Sequence, residues 1–291
     1  MKRVLITGKT SWIGDELERR LAFFGGEYEV ARISLRNDSW RSASWKGYDS
    51  IVHTAAIPHD DEGDEDSMRD VNVSLTRDVA AKAKQDGVGH LIFLSSFHVY
   101  ASDSRGAVIV GKNTLPRPQT PYGRSKLAAE DALAQLADDR LTVAILRPPL
   151  VYGPNCTQRN FPRFVKLAAK TPVFPNVRNR RSMLYSQNLA ELMRLLINEQ
   201  RGGLFFPQNE DHVCTADMIS RIGNYLGRKI HLSRALAVPA NLLATRIGTF
   251  GKIFGDAYYE LSLSECGCNY RVATFDDSIA ESIIPHRTSR N

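Results

Sequence analysis

The feature that most restricts this chain is an alternation. Short apolar runs, "RVLITG" at 3–8, "YEVARISL" at 28–35, "DSIVHTAA" at 49–56, "HLIFLSS" at 90–96 and "LTVAILRPP" at 141–149, are separated by stretches of helical character. In "WIGDELERRLAFF" Ile13, Leu17 and Leu21 share one helical face; "VNVSLTRDVAAKAKQDG" is stopped by Gly87; "YGRSKLAAEDALAQLA" is a long helix. Strands alternating with helices pair in parallel through right-handed crossovers, so an α/β fold with a doubly wound parallel sheet is expected. From Arg36 to Asp49 the chain is too short for a full helix and strand, which predicts a sheet trimmed on that side. Beyond residue 153 the rhythm changes: Pro, Asn and Arg crowd "GPNCTQRNFPRF" and "TPVFPNVRNRRS". We therefore expect one domain over 1–153, completed by part of 183–206. A smaller C-terminal substrate domain over 154–291 would close over the carboxyl ends of the strands, where ligands of such sheets bind.

Composition limits function without naming one. With 43% apolar residues among 291, the chain can bury a large core. Its apolar segments are short and interrupted, so no transmembrane span is expected, and the N-terminus lacks the apolar core of a signal peptide. Four cysteines without a framework spacing point to a reducing cytoplasm. Cys266 and Cys268 form a C-x-C pair with no second ligand pair nearby, so they read as free thiols and no metal is expected. A net charge of +6 suits an anionic small ligand and is equally ordinary surface chemistry. Basic residues are scattered without an aromatic stripe, which sets nucleic acid aside. The acidic run "HDDEGDED" at 59–66 reads as a solvated loop. In segment 236–255, "LAVPANLLATRIGTFGKIFG", apolar and basic residues interleave. That pattern fits an interfacial membrane helix; its glycines and its place in the smaller domain favour a packed or mobile substrate-side segment.

Three local patterns carry chemistry. The first is the turn "VLITGKTSWIG" at 4–14, where Gly8 and Gly14 flank a polar loop and Ser11 stands in place of a middle glycine. Gly8 lets the backbone approach a pyrophosphate, Thr10 to Ile13 bring the helix N-terminus and its free N–H groups, and Gly14 lets the helix pack closely on the strand. Ser11 is tolerable if its φ stays negative, and its hydroxyl can donate to phosphate. The second pattern is Tyr122 and Lys126 in "PYGRSK", one helical turn apart, where an ammonium beside a phenol lowers the tyrosine pKa and makes it a usable base. Tyr225 and Lys229 repeat that spacing with no strand-borne serine ahead of them, and we read them as a chance match. The third is Ser95-Ser96 at the end of a strand, where Ser96 can hydrogen-bond the oxygen on which Tyr122 acts.

Taken in order, "ITGKTSWIG", "VHTAA", "VNVSLT", "LSSFHVY", "PYGRSK" and "LRPPLVYGP" make the chain resemble the extended short-chain dehydrogenase/reductase family. Within that family it is similar to the NAD(P)-dependent nucleotide-sugar epimerases and dehydratases, of the UDP-glucose 4-epimerase kind. The resemblance spans residues 1 to about 200. It implies a Rossmann sheet and a catalytic set of Ser96, Tyr122 and Lys126. A cofactor site would be formed by Gly8, Thr10, Ser11, Trp12, Ile13, Gly14, Ser34, Arg36, Ala55, Ala56, Asn72, Tyr122, Lys126 and Pro148, with Arg147 opening the segment beside the nicotinamide. Ser96, Asn160 and Arg181 would contact a nucleotide-diphosphate sugar, an arginine fork matching phosphate oxygens. It further implies a homodimer paired through two long helices of the sheet domain.

The departures bear on cofactor and reaction. NAD-preferring relatives carry an acidic residue at the end of the second strand, whereas Ser34 and Arg36 here suit a 2′-phosphate and tilt the choice from NAD toward NADP; Asp38 can still serve NAD. Phe97 and His98 stand where dehydratases place an acidic pair, and His98 reads as structural or solvent-facing. The leading expectation is a nucleotide-sugar 4-epimerase with Tyr122 as base. The alternatives are an NADPH-dependent 4-keto nucleotide-sugar reductase and, from another class, a cofactor-sensing or scaffold protein without turnover.

Overall fold

The computed structural model describes residues 1–57, 65–100, 107–156 and 160–288. Most of the acidic run 59–66 lies outside the described residues; Glu65 and Asp66 open a short helix, Glu65–Arg69. Six parallel strands form the central sheet: β1 (Lys2–Thr7), β2 (Tyr28–Ile33), β3 (Ser50–His53), β4 (His90–Leu94), β5 (Thr142–Leu146) and β6 (Gly203–Phe205), in the order 2-1-3-4-5-6. The doubly wound parallel sheet is as the alternation requires.

Successive strand residues feed opposite faces. Val4, Ile6, Val52, Ile92 and Ala144 pack against helices Trp12–Ala22 and Ser186–Glu199, whereas Leu5, Ile51, Leu91 and Phe93 pack against helices Leu75–Gln85 and Pro121–Leu136. Apolar side chains on both faces are the signature of a sheet sandwiched between helix layers. Helix Leu75–Gln85 ends as expected before Gly87, whose φ of 78° a side chain would strain.

The trimmed side is real. Between β2 and β3 stands only the short helix Ser39–Ser42, so β2 becomes the sheet's edge. Trp40 and Trp45, stacked with centroids 5.7 Å apart and both buried, fill the space that a longer connection would cover. A second apolar cluster, separate from the core of the sheet and built from residues 152 to 283, includes Tyr152, Phe161, Met183, Ile219 and Ile279.

Two buried histidines join these layers, and their bonds fix the tautomers. Thr76 Oγ1 donates to the Asn72 carbonyl at 2.9 Å, so His53 Nε2 donates to Thr76 Oγ1 at 2.9 Å and His53 Nδ1 accepts from Thr7 Oγ1 at 2.6 Å. His90 Nε2 donates to the Arg201 carbonyl at 3.3 Å, and Nδ1 accepts from Ser50 Oγ at 2.8 Å. Burial pushes the His53 pKa from 6.5 to about 3 and that of His90 to about 4. Both rings stay neutral in the fold while the unfolded chain takes up protons, so their stabilisation is complete above 6.5 and is lost as pH falls. Denaturant unfolding is expected to show stability falling from pH 6.5 toward 4.5 with a slope of about 1.4 kcal/mol per pH unit for each histidine. A flat profile over that interval contradicts the assignment.

Candidate active site

Adjacent β1 and β3 send their chains to opposite faces of the sheet, and this switch opens a crevice at their carboxyl ends. Gly8 sits at its floor with φ of 93°; a Cβ there would lie 2.9 Å from Thr54 Oγ1 and 3.1 Å from the Ala55 nitrogen. The turn and the Ala55–Ala56 segment therefore meet through bare backbone. Ser11 keeps a φ of −74° and caps the helix, its Oγ accepting from the Gly14 N–H at 3.3 Å. Gly14 packs on β1 as expected, where an added Cβ would meet Ile6 at 3.2 Å and Arg32 at 2.7 Å. Thr10 is exposed, and Ile13 and Trp12 are half-buried; the Trp12 indole donates to the Pro154 carbonyl at 2.9 Å, tying the turn's helix to the second apolar cluster. A glycine floor beside a helix N-terminus fits a dinucleotide pyrophosphate.

Arg32 is a supporting residue that sequence reasoning missed. It reaches from β2 under the turn, donating through Nη2 to the carbonyls of Ser11 at 2.9 Å and Gly8 at 3.3 Å, and pairing with Asp15. The signal was available: an arginine inside an otherwise apolar run needs partners. Past the end of β2, Ser34 Oγ accepts from the Arg36 N–H at 3.3 Å, while Arg36 is exposed. Asp38 is turned to solvent and bound to Arg41 Nε at 3.0 Å.

Asn72 sits in the π-helical turn Asp70–Ser74, fully buried. It accepts from the Ile57 N–H at 2.8 Å, donates to the Ile57 carbonyl at 3.2 Å and donates to Ser125 Oγ at 3.0 Å. It pins the segment after β3 to the helix that carries Tyr122 and Lys126.

That helix, Pro121–Leu136, starts at the Thr120 cap, and Gly123 lets it press against the turn after β4; a Cβ at Gly123 would fall 2.4 Å from the His98 carbonyl. Ser96 ends the strand segment, receives the His98 N–H at 3.2 Å and is hydrogen-bonded to Tyr122. His98 packs edge-on against the Tyr122 ring, centroids 5.7 Å apart, so it is a structural neighbour of the phenol. Pro148 runs alongside, its carbonyl accepting from the Phe97 N–H at 2.9 Å. Lys126 is buried, with Nζ 5.9 Å from the Tyr122 ring centroid and 2.9 Å from the Leu94 carbonyl it donates to.

One electrostatic expectation needs correcting. Burial raises the Tyr122 pKa to about 12, and the bond to Ser96, not the Lys126 ammonium, pulls it back. Burial also lowers Lys126 to about 7, with Glu130 opposing that fall. Desolvation acts on both groups and outweighs their attraction, so this geometry holds a neutral phenol beside a lysine close to losing its proton.

Behind these residues lies a buried ion pair that the sequence reading passed over. Arg147 Nε lies 3.0 and 3.2 Å from the two Glu130 carboxylate oxygens, Ser95 Oγ donates to the same carboxylate, and the guanidinium also donates to Tyr100. Tyr259 closes the cluster by donating to the Arg147 carbonyl at 2.9 Å. Arg147 thus faces Glu130 behind the site. Tyr122, Lys126 and Glu130 lie four residues apart on one helical face, a spacing that could have pointed to the carboxylate although not to Arg147 as its partner.

In the C-terminal part of the chain, Arg181 donates through Nη1 to the Gly255 carbonyl at 3.1 Å, and burial lowers its pKa to about 10, leaving it charged at neutral pH. Asn160 opens helix Asn160–Lys170, and its side chain lies outside the described residues. Tyr225 ends helix Thr215–Tyr225 and donates to the Asp276 carbonyl, with Lys229 exposed beyond the helix, as a chance match requires. Cys266 and Cys268 are free thiols, 3.0 Å apart. No helix among the described residues is long and apolar enough to cross a membrane.

Residues 4–205 match the model of the NAD dependent epimerase/dehydratase family. The chain belongs to that family. This epimerase/dehydratase chain is 27% identical over 281 residues to the UDP-glucose 4-epimerase of Vibrio cholerae, covering 87% of this chain and 83% of that one. Its fold matches the UDP-glucuronic acid 4-epimerase of Bacillus cereus, solved in complex with NAD, with a TM-score of 0.76 at 17% identity over 99% of this chain and 100% of that one. It matches equally RMD from Pseudomonas aeruginosa, complexed with NADPH, at a TM-score of 0.77 and 17% identity over the whole of both chains. The protein is an NAD(P)-dependent enzyme of the extended short-chain dehydrogenase/reductase type.

Proposed function

We propose that this enzyme inverts C4 of a nucleotide-diphosphate sugar, with Ser96, Tyr122 and Lys126 acting on the 4-hydroxyl. The observation that carries the reading is the hydrogen-bonded Ser96–Tyr122 pair beside buried Lys126, one strand away from the glycine-floored crevice. The similarity to the Vibrio cholerae UDP-glucose 4-epimerase, which extends beyond the sheet into the second cluster, supports the substrate class. When bound, an oxidised nicotinamide supplies the hydride acceptor, and its positive charge favours the phenolate. Tyr122 then takes the proton from the 4-hydroxyl and returns it after the 4-keto sugar has turned over. Ser96 holds the sugar oxygen through both half-reactions, and Lys126 supplies nearby positive charge. Arg181 and Asn160 are our candidates for the diphosphate, and residues 154–182 and 207–291 for the substrate side of the cleft. Pairing through helices Leu75–Gln85 and Pro121–Leu136 would use mostly small and polar surface, since Ala129 and Leu133 are spent inward.

Ser34 and the exposed Arg36, with Asp38 committed to Arg41, favour NADP and keep one-way NADPH-dependent reduction of a 4-keto sugar as the second reading. Mass spectrometry of dinucleotide released on denaturation separates the two. An epimerase regenerates its cofactor each cycle and is expected to purify with it; protein that carries none and turns over only with added NADPH is a reductase. In direct binding, Arg36→Ala is expected to weaken NADP(H) by about ten- to a hundredfold, the scale of one charged hydrogen bond, while leaving NAD(H) unchanged. Equal losses for both cofactors would remove the 2′-phosphate role.

A further inference from the structure

Helix Arg234–Ala244 is built inside out. Its small residues Ala240 and Ala244 point into the second apolar cluster and are 4% and 8% exposed, whereas Val238 and Leu242, on the outer side, are 73% and 52% exposed. Leu236 and Ile247, each 43% exposed, extend the same surface. A helix whose larger apolar groups face away from the core has not found its partner within the chain.

The charge around the patch says what that partner is. From Met218 to Gly255 the sequence contains no Asp or Glu, and exposed Arg234, Arg246 and Lys252 border the apolar surface. A two-fold contact with a second copy would bring these cations toward their own equivalents. An anionic bilayer does the reverse: headgroups take the guanidinium and ammonium groups while Val238 and Leu242 enter the acyl boundary. We propose that helix Arg234–Ala244, with the adjoining helix Gly248–Phe254, docks the enzyme on an anionic membrane surface. The docking is peripheral, since no described helix can span a bilayer.

The consequence for the cleft is geometric. Helix Gly248–Phe254 runs into Gly255, whose carbonyl is held by Arg181 and by the Asn179 amide at 3.2 Å. Docking therefore brings Gly255 and the Arg181 that holds it toward the headgroups, which, if Arg181 contacts the diphosphate as proposed, places that contact near the bilayer.

Vesicle co-sedimentation of the purified enzyme tests the proposal without requiring turnover. Wild-type protein is expected to sediment with phosphatidylcholine vesicles containing about a third phosphatidylglycerol, to stay behind with pure phosphatidylcholine, and to be released by about 0.5 M salt. The double variant Val238→Glu/Leu242→Glu alters only exposed side chains and is expected to lose binding by about tenfold or more. Phe23→Glu, at an exposed apolar site elsewhere, is expected to bind like wild type; unfolding temperatures of all three proteins check that each remains folded. Wild-type protein left in the supernatant, or a double variant that sediments like wild type, overturns the proposal. So does a concentration-dependent dimer, abolished by the double variant, in protein that ignores vesicles, since that assigns the face to a second copy.

Discussion

Tyr122→Phe is expected to lower turnover of a nucleotide sugar by about 10²–10⁴-fold, the range over which a positioned proton donor or acceptor contributes. The ring stays, its edge contact with His98 stays, and Ser96 keeps the His98 N–H as a partner. Stability should therefore change by about 1 kcal/mol or less. The comparison is kcat against unfolding free energy on the same preparations. Turnover within a few-fold of wild type would take the proton-transfer role away from Tyr122. A parallel collapse of stability would show that the hydroxyl is structural.

The second large effect lies behind the site. Glu130→Ala is expected to cost about 3–5 kcal/mol in urea unfolding, because it leaves the Arg147 guanidinium buried without its carboxylate. Replacing both residues together with methionine should recover most of that loss, since it removes the buried charges in pairs. The carboxylate also holds up the Lys126 pKa, so the single variant should push that lysine further below about 7 and move the alkaline limb of the pH–rate profile of whatever activity survives. A loss under about 1 kcal/mol would mean that water or Tyr100 satisfies Arg147 without help.

These two variants mark what a sequence discloses and what it hides. The sheet and the positions of Ser96, Tyr122 and Lys126 could be read because each depends on local signals: an apolar run, a cap, a glycine, a spacing of one helical turn. The trimmed edge was equally readable, from the shortness of Arg36 to Asp49, although not that Trp40 and Trp45 would stack to cover it. Arg32 and the Glu130–Arg147 pair escaped because their partners come from distant strands and turns. Tyr122 departs from the expected phenolate for a related reason: the charge one turn away is local and legible in the sequence, whereas desolvation is set by every element packed around the helix. Segment 236–255 read as interleaved apolar and basic residues, and only the structure shows that the alanines face inward and the larger side chains outward.

If the cleft inverts a sugar carbon by oxidising and re-reducing it on a cofactor that never leaves, the hydrogen at C4 returns to the carbon it came from. Nucleotide sugars carrying deuterium at C4, UDP-glucose first, are to be incubated with the enzyme as purified, with no added cofactor, and followed by NMR. The expected product has an inverted C4 that still bears its deuterium. An absence of inversion across the panel, together with consumption of added NADPH on a 4-keto sugar, would contradict it.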